Sequence, residues 1–207
     1  MRKPISLMHA IARLSVGLLS ALSFIGSETA AAERPLDLSR ALHADRPSTS
    51  LGGASEVIGR LIGTWAVDYL DISKDGKATR RTGQFIAAWV MDGRAIEDVW
   101  IVDPSGTRKE REVYADIRYF DKKSRSWPAV FIDPEAASIA KFTSETQGDS
   151  IILHSPDLGA GDVRWKFEDI RPTSFVFRDE ASDDGGKTWR LRSEYHMSRK
   201  IPNVPEP

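Results

Sequence analysis

Nine turn signals punctuate the chain beyond Gly63, and the residues between them alternate apolar and polar with period two. The signals are Asp75-Gly76, Asp92-Gly93, Pro104-Ser105-Gly106, Asp121-Lys122-Lys123-Ser124, Asp133-Pro134, Gly148-Asp149, Gly159-Ala160-Gly161, Arg171-Pro172 and Asp184-Gly185-Gly186. Such clusters mark turns because Gly supplies positive φ, Pro fixes φ, and Asp bonds its own backbone. Val163, Trp165 and Phe167 alternate with Arg164, Lys166 and Glu168; Val113, Ala115, Ile117 and Tyr119 alternate with Glu112, Tyr114, Asp116 and Arg118. The connections are too short for crossover helices, so consecutive strands are antiparallel neighbours. An open sheet of about ten strands would leave long edges and a bare apolar face. The sequence therefore predicts an all-β fold: an antiparallel meander β-barrel of about ten strands with one short N-terminal helix, a two-sheet sandwich being the alternative.

The helix is expected at residues 55–62 (SEVIGRLI), where Ser55 caps and Val57, Ile58, Leu61 and Ile62 share one side. Residues 33–54 hold Pro35, Pro47, a Ser/Thr cluster and Gly52-Gly53 with few apolar residues, the composition of a flexible leader or linker. Ahead of it, Arg2, Lys3 and Arg13 precede an uncharged apolar run over residues 14–26, and Ala30-Ala31-Ala32 offers a small-residue cleavage site. That is the pattern of a signal peptide cut before Glu33. A membrane anchor is the rival reading, but a spanning helix needs about 20 apolar residues and Arg13 interrupts any extension. The expected organisation is a signal peptide over 1–32, a leader over 33–54, a barrel domain over 55–200 and a disordered tail over 201–207. The mature protein is expected to be periplasmic or secreted and not membrane-spanning.

Charge and composition restrict the function classes. The chain carries 29 Lys+Arg against 30 Asp+Glu, without the basic excess that nucleic-acid binding needs. With no Cys, there is no disulfide framework, thiolate metal site or thiol nucleophile. Neither a G-x-S-x-G elbow, an H-E-x-x-H pair nor a phosphate-cradling glycine loop occurs. Glu97 and Asp98 are adjacent on a strand and point to opposite faces. Asp103, Asp133 and Asp157 stand beside turns, where Asp bonds the backbone. His154 and His196 lack a patterned carboxylate, so no metal site and no catalytic residue is assigned.

Four segments carry a resemblance. Gly63-Thr64-Trp65 resembles the G-x-W opening of the calycin superfamily, which includes lipocalins, fatty-acid-binding proteins and nitrobindin-like haem barrels. With MDGRAIEDVW (91–100), FIDPEAASIAKF (131–142) and SDDGGKTWRL (182–191), the stretch from Gly63 to Arg199 is similar to a family of secreted bacterial calycin-like barrels. That family has no settled activity, so the resemblance implies a fold. It implies that Trp65 closes the barrel base against an Arg of the last strand, with Arg192 and Arg199 as counterparts. Ser182, Asp184, Gly186, Thr188 and Trp189 resemble the Asp-box hairpin of propeller repeats, which implies a structural turn. The repetition that a propeller requires is missing. Gly63, Trp65, Asp184 and Gly186 are accordingly read as structural.

The aromatic residues suggest binding. Trp89, Trp100, Trp165, Trp189 and Tyr195 fall mostly on faces read as inward and, with Arg118, form the candidate ligand site; Asp98 and Arg192 are further polar candidates. Barrels of this size leave room for a ligand, and aromatic concavities with a few polar groups are typical small-molecule sites. The leading reading is an exported barrel that binds a small, largely apolar molecule without a cofactor. A non-catalytic envelope or assembly module with a filled core is the second. A haem barrel is the third, on the resemblance of Ser193-Glu194-Tyr195-His196-Met197 to a nitrobindin-like ligand strand. There His196 shares its parity with Arg190, Arg192, Glu194 and Ser198 and points to solvent unless a bulge reverses it.

Overall fold

The computed structural model describes residues 37–106, 108–155 and 162–200. The signal peptide and its cleavage site, the tail over 201–207, the Gly159-Ala160-Gly161 turn and Asp157 lie outside the described residues. Eleven strands form one antiparallel sheet: β1 (His43–Ala44), β2 (Gly63–Ile72), β3 (Ala78–Val90), β4 (Ala95–Val102), β5 (Glu112–Tyr119), β6 (Ala129–Asp133), β7 (Ser138–Gln147), β8 (Ser150–Ser155), β9 (Asp162–Glu168), β10 (Ser174–Ser182) and β11 (Arg190–Arg199). Strands β2 to β11 follow sequence order around a closed ten-strand meander, sealed where β11 pairs with β2. Every turn signal within the described residues falls at a junction between consecutive strands, Asp133 being the last residue of β6. Closure leaves the barrel without free edges.

The base is built as the resemblance implies, and Arg199 is the counterpart. Trp65 is fully buried, and its Nε1 donates to the Leu61 carbonyl at 2.9 Å. The Arg199 guanidinium lies 3.9 Å from the Trp65 ring centroid and donates through Nη1 to the Ile62 carbonyl at 3.0 Å. Gly63 is required by its φ of +133°, a conformation that L side chains rarely adopt, and a Cβ there would also sit 2.3 Å from Arg199 Nη1.

Ahead of the barrel the structure departs from expectation. Residues 55–62 do not form an α-helix. Two 3-10 segments, Thr49–Ser55 and Ile58–Leu61, cover the base and bury Leu51, Ile58 and Leu61. The Ser55 hydroxyl donates back to Gly52, so it closes the preceding turn and caps nothing. Glycines at 52, 53 and 59 leave no uninterrupted turn of good helix formers. The one α-helix among the described residues, α1 (Leu38–Leu42), lies in the stretch read as leader, capped by Asp37, whose side chain accepts the Arg40 amide at 2.9 Å. After it β1 pairs with Trp89 and Val90 of β3, and the Ser48 amide donates to Gly93. Residues 37–54 are thus tied to the base by backbone bonds that composition does not reveal.

The last hairpin is locked as an Asp-box. Asp184 Oδ1 accepts the amides of Lys187 and Thr188 at 3.0 and 2.9 Å, and its Oδ2 accepts the Thr188 hydroxyl at 2.7 Å. Gly186 (φ +79°) donates its amide to Ser182 Oγ, and its carbonyl accepts Trp189 Nε1. Those bonds to the ionised form hold the Asp184 carboxyl down at about 2.

Candidate functional site

The interior is divided into a sealed lower half and an open mouth. Trp65, Phe85, Phe167 and Phe175 pack the lower half, Phe175 meeting Trp65 at 4.7 Å and Phe85 at 5.7 Å edge to face and Phe167 tilted against Phe85 and Phe175. Trp89 stands at the base beside Trp127, 6.3 Å away, within the buried core, and does not line the mouth cavity where the predicted Trp100, Trp165 and Tyr195 meet.

Three charged residues are sealed within the barrel. Asp98 of β4 and Asp116 of β5 are direct cross-strand partners, and Arg118 follows on the same face of β5. Their exposures are 0%, 1% and 1%. Arg118 Nη2 donates to Asp98 Oδ2 and lies 3.7 Å from Asp116 Oδ2. The Trp100 indole donates to Asp98 Oδ1 at 3.0 Å. Arg118 Nε and Nη1 and both Asp116 oxygens have no hydrogen-bond partner among the described residues. Burial raises both carboxyl pKa values, with Arg118 opposing the shift in each. The predicted site residue Arg118 is therefore interior, but it belongs to this cluster and does not line the mouth cavity.

Strand β5 explains the arrangement. Its interior face is Glu112, Tyr114, Asp116 and Arg118, and its apolar members Val113, Ala115 and Ile117 point outward. They meet Ile101, Val99, Val130 and Ile132 of β4 and β6 across an apolar outer face. The opposite outer wall is ionic: Arg178 bonds Glu168 and Glu194, and Arg164 bonds Glu180.

The mouth holds a cavity of about 240 Å³. Trp100, Trp165 and Phe177 are among its walls, with centroids 5.0 Å (Trp100–Phe177) and 5.7 Å (Trp165–Phe177) apart. Tyr195 stacks on Phe177 at 5.2 Å and meets Tyr69 edge-on at 4.6 Å. Tyr114 and Phe131 complete the aromatic wall. The rim is a set of bonded ions. Arg81 donates to Asp71 at 2.8 Å and to Glu112 at 2.9 Å, and Arg192 grips both oxygens of Asp179. The Tyr195 hydroxyl donates to Asp71 at 3.0 Å. Trp165 Nε1 is buried with no partner at hydrogen-bond distance among the described residues, and Asp179, its cross-strand partner, is the acceptor beside it. Burial raises the Asp179 carboxyl despite Arg192.

Of the predicted ligand residues, the structure brings Trp100, Trp165 and Tyr195 together here. Trp189 is not with them. It lies on the outer face, under Arg164 at 4.0 Å and 6.5 Å from the His154 ring, because the locked turn and not the strand sets its direction. A bulge opposite Asp179 and Glu180 pairs Ser193 with Asp179 and Leu191 with Glu180. It leaves Arg192 unpaired in the ladder and turns it to the mouth. His196 stays on the outer face, half exposed, at 2.8 Å from Glu194. Sequence reasoning missed Tyr69, Arg81, Tyr114, Phe131, Phe177 and Asp179 at the mouth. Tyr69 and Phe177 carried a signal, being two residues along the strand from buried Val67 and Phe175.

No protein-family model matches the chain, and no curated protein matches its sequence. Solved structures do. The S-type phycobiliprotein lyase CPES from Guillardia theta is similar with a TM-score of 0.52 at 11% identity, over 71% of this chain and 92% of that one. Rv2717c from M. tuberculosis is similar with a TM-score of 0.50 at 12% identity, over 72% of this chain and 98% of that one. At such identities the likeness is one of fold, and with the closed meander it makes the domain a calycin-like ten-strand β-barrel.

Proposed function

We propose that this barrel binds one small aromatic molecule in its mouth. The observation that carries the reading is the cavity of about 240 Å³, walled by aromatic rings and rimmed by charged groups in fixed orientations. That combination is typical of small-molecule sites. Size narrows the ligand: an apolar cavity of about 150 Å³ takes up benzene, so this one suits one or two rings. The fold likeness to a phycobiliprotein lyase accords with a ligand-holding barrel but carries no ligand identity. His196, turned outward beside Glu194, gives the haem alternative no support.

Indole is the probe for a calorimetric titration, with saturation expected at one equivalent. Val102 lines the cavity, and Val102→Phe fills it. This variant is expected to weaken indole binding about tenfold or more, equivalent to about 1.4 kcal/mol, while its unfolding remains cooperative. Equal indole binding by a folded Val102→Phe variant would place the ligand elsewhere and refute the site.

We also propose that the protein is exported, on the signal-peptide pattern of residues 1–32 alone. Expression of the full chain in a bacterium is expected to yield a mature N-terminus near Glu33 outside the cytoplasm. A chain retained inside with residues 1–32 attached contradicts this.

A further inference from the structure

Carboxylates outnumber guanidinium groups around the mouth cavity. Asp133 and Asp179 line it, and Asp71 and Glu112 are bonded to Arg81 in its wall. Against these four stand Arg81, Arg192 and Arg108, and each is already engaged: Arg81 by Asp71 and Glu112, Arg192 by Asp179, Arg108 by Glu112. Asp133 is the carboxylate left over. Its Oδ1 accepts the Ala136 amide at 2.9 Å, the turn role expected from sequence, and no cation pairs with it among the described residues. The walls add to the imbalance, because the face of an aromatic ring is negative and attracts a cation placed over it. An anion entering here meets surplus negative charge and has to displace an existing ion pair. A cation meets Asp133 and the ring faces.

Resting on the ligand-binding reading above, we propose that the cavity selects small aromatic amines in their protonated form, the ring against Trp100 and Trp165 and the ammonium group beside Asp133. The same negative field acts on two of the three wall tyrosines, Tyr114 and Tyr195, whereas at Tyr69 the Arg81 guanidinium is the strongest influence after burial and opposes it. After burial, Asp133 is the strongest influence raising the Tyr114 hydroxyl, and Asp71 is the strongest after burial for Tyr195.

Three probes share one ring system and differ in charge: tryptamine is a cation, indole is neutral and indole-3-acetate is an anion at pH 7. Calorimetric titration is expected to rank them in that order, tryptamine binding about fivefold tighter than indole. The tryptamine advantage shrinks as salt is raised, because the Asp133 side of the site is open to solvent screening. Asp133→Asn retains an acceptor for the Ala136 amide and is expected to bring the tryptamine-to-indole ratio close to one. If indole or indole-3-acetate binds tightest, or if the ratio survives both salt and Asp133→Asn, the amine assignment is overturned while the ligand site stands. If none of the three binds, the ligand site itself falls and the amine assignment with it.

Discussion

Replacing Arg118 by Met lowers the unfolding free energy at pH 7 by about 3–5 kcal/mol, the usual result of removing one partner from a buried ion cluster. Met matches the length of the side chain and keeps its contact with Phe167, whose ring centroid lies 5.4 Å from the guanidinium carbon, so the loss reports charge and not volume. What remains is Asp98 facing Asp116 across the β4–β5 ladder, both sealed from solvent, with the Trp100 indole still donating to Asp98. Two carboxylates in that position cannot both stay ionised. They take up protons instead, at a free-energy cost that grows with pH. Urea unfolding at pH 7 and at pH 5 tests this, and the loss is expected to be clearly smaller at pH 5. A variant within about 1 kcal/mol of the wild type at both pH values, the scale of an ordinary surface change, contradicts the assignment of Arg118 as the counter-ion.

The same strand shows how far the sequence could be read. The turns are local chemistry, so Asp75-Gly76 through Asp184-Gly185-Gly186 announced the meander, and Gly63 and Trp65 announced the base, with the structure choosing Arg199 over Arg192 as the partner of Trp65. On β9 the apolar residues Val163, Trp165 and Phe167 do face inward. On β5 the alternation was visible but its direction was not. Apolar residues normally claim the interior, yet Glu112, Asp116 and Arg118 occupy it because their partners Arg81 and Asp98 come from other strands. No window of sequence contains those partners. The mouth was hidden for a related reason. The β11 bulge shifts parity between Leu191 and Ser193, and only the pairing with β10 reveals that Arg192 meets Asp179. Trp189 misled in the opposite way, because an aromatic at the right parity served the hairpin turn beside it.

Stability is expected to fall as pH rises above about 4, and Asp116→Asn is expected to remove most of that slope. Two carboxyls against one guanidinium leave the buried cluster one negative charge in excess, and burial raises both Asp98 and Asp116. The sign follows from proton linkage. Where the folded carboxyl pKa exceeds the unfolded value of about 3.9, the folded state holds more protons, so unfolding free energy declines with pH until the folded groups have titrated. One proton corresponds to about 1.4 kcal/mol per pH unit over that interval. Asp184, held down at about 2, acts with the opposite sign but only below the unfolded value, so it does not enter the window above pH 4.5. Asp179, also raised by burial, contributes with the same sign as the pair. Asp116→Asn separates them: it keeps the size of the side chain, leaves Arg118 matched to Asp98 alone, and does not touch Asp179. Urea unfolding from pH 4.5 to 8 is expected to give the wild type a falling curve and the variant a shallower one that lies above it at neutral pH. A wild-type curve that rises across this range, or a variant with an unchanged slope, means that the pair carries no extra proton in the folded barrel. Because Trp100 joins Asp98 to the mouth cavity, near-ultraviolet dichroism followed over the same pH range reads the cluster from its other side. The indole signal is expected to change with the stability curve in the wild type and to stay constant in Asp116→Asn.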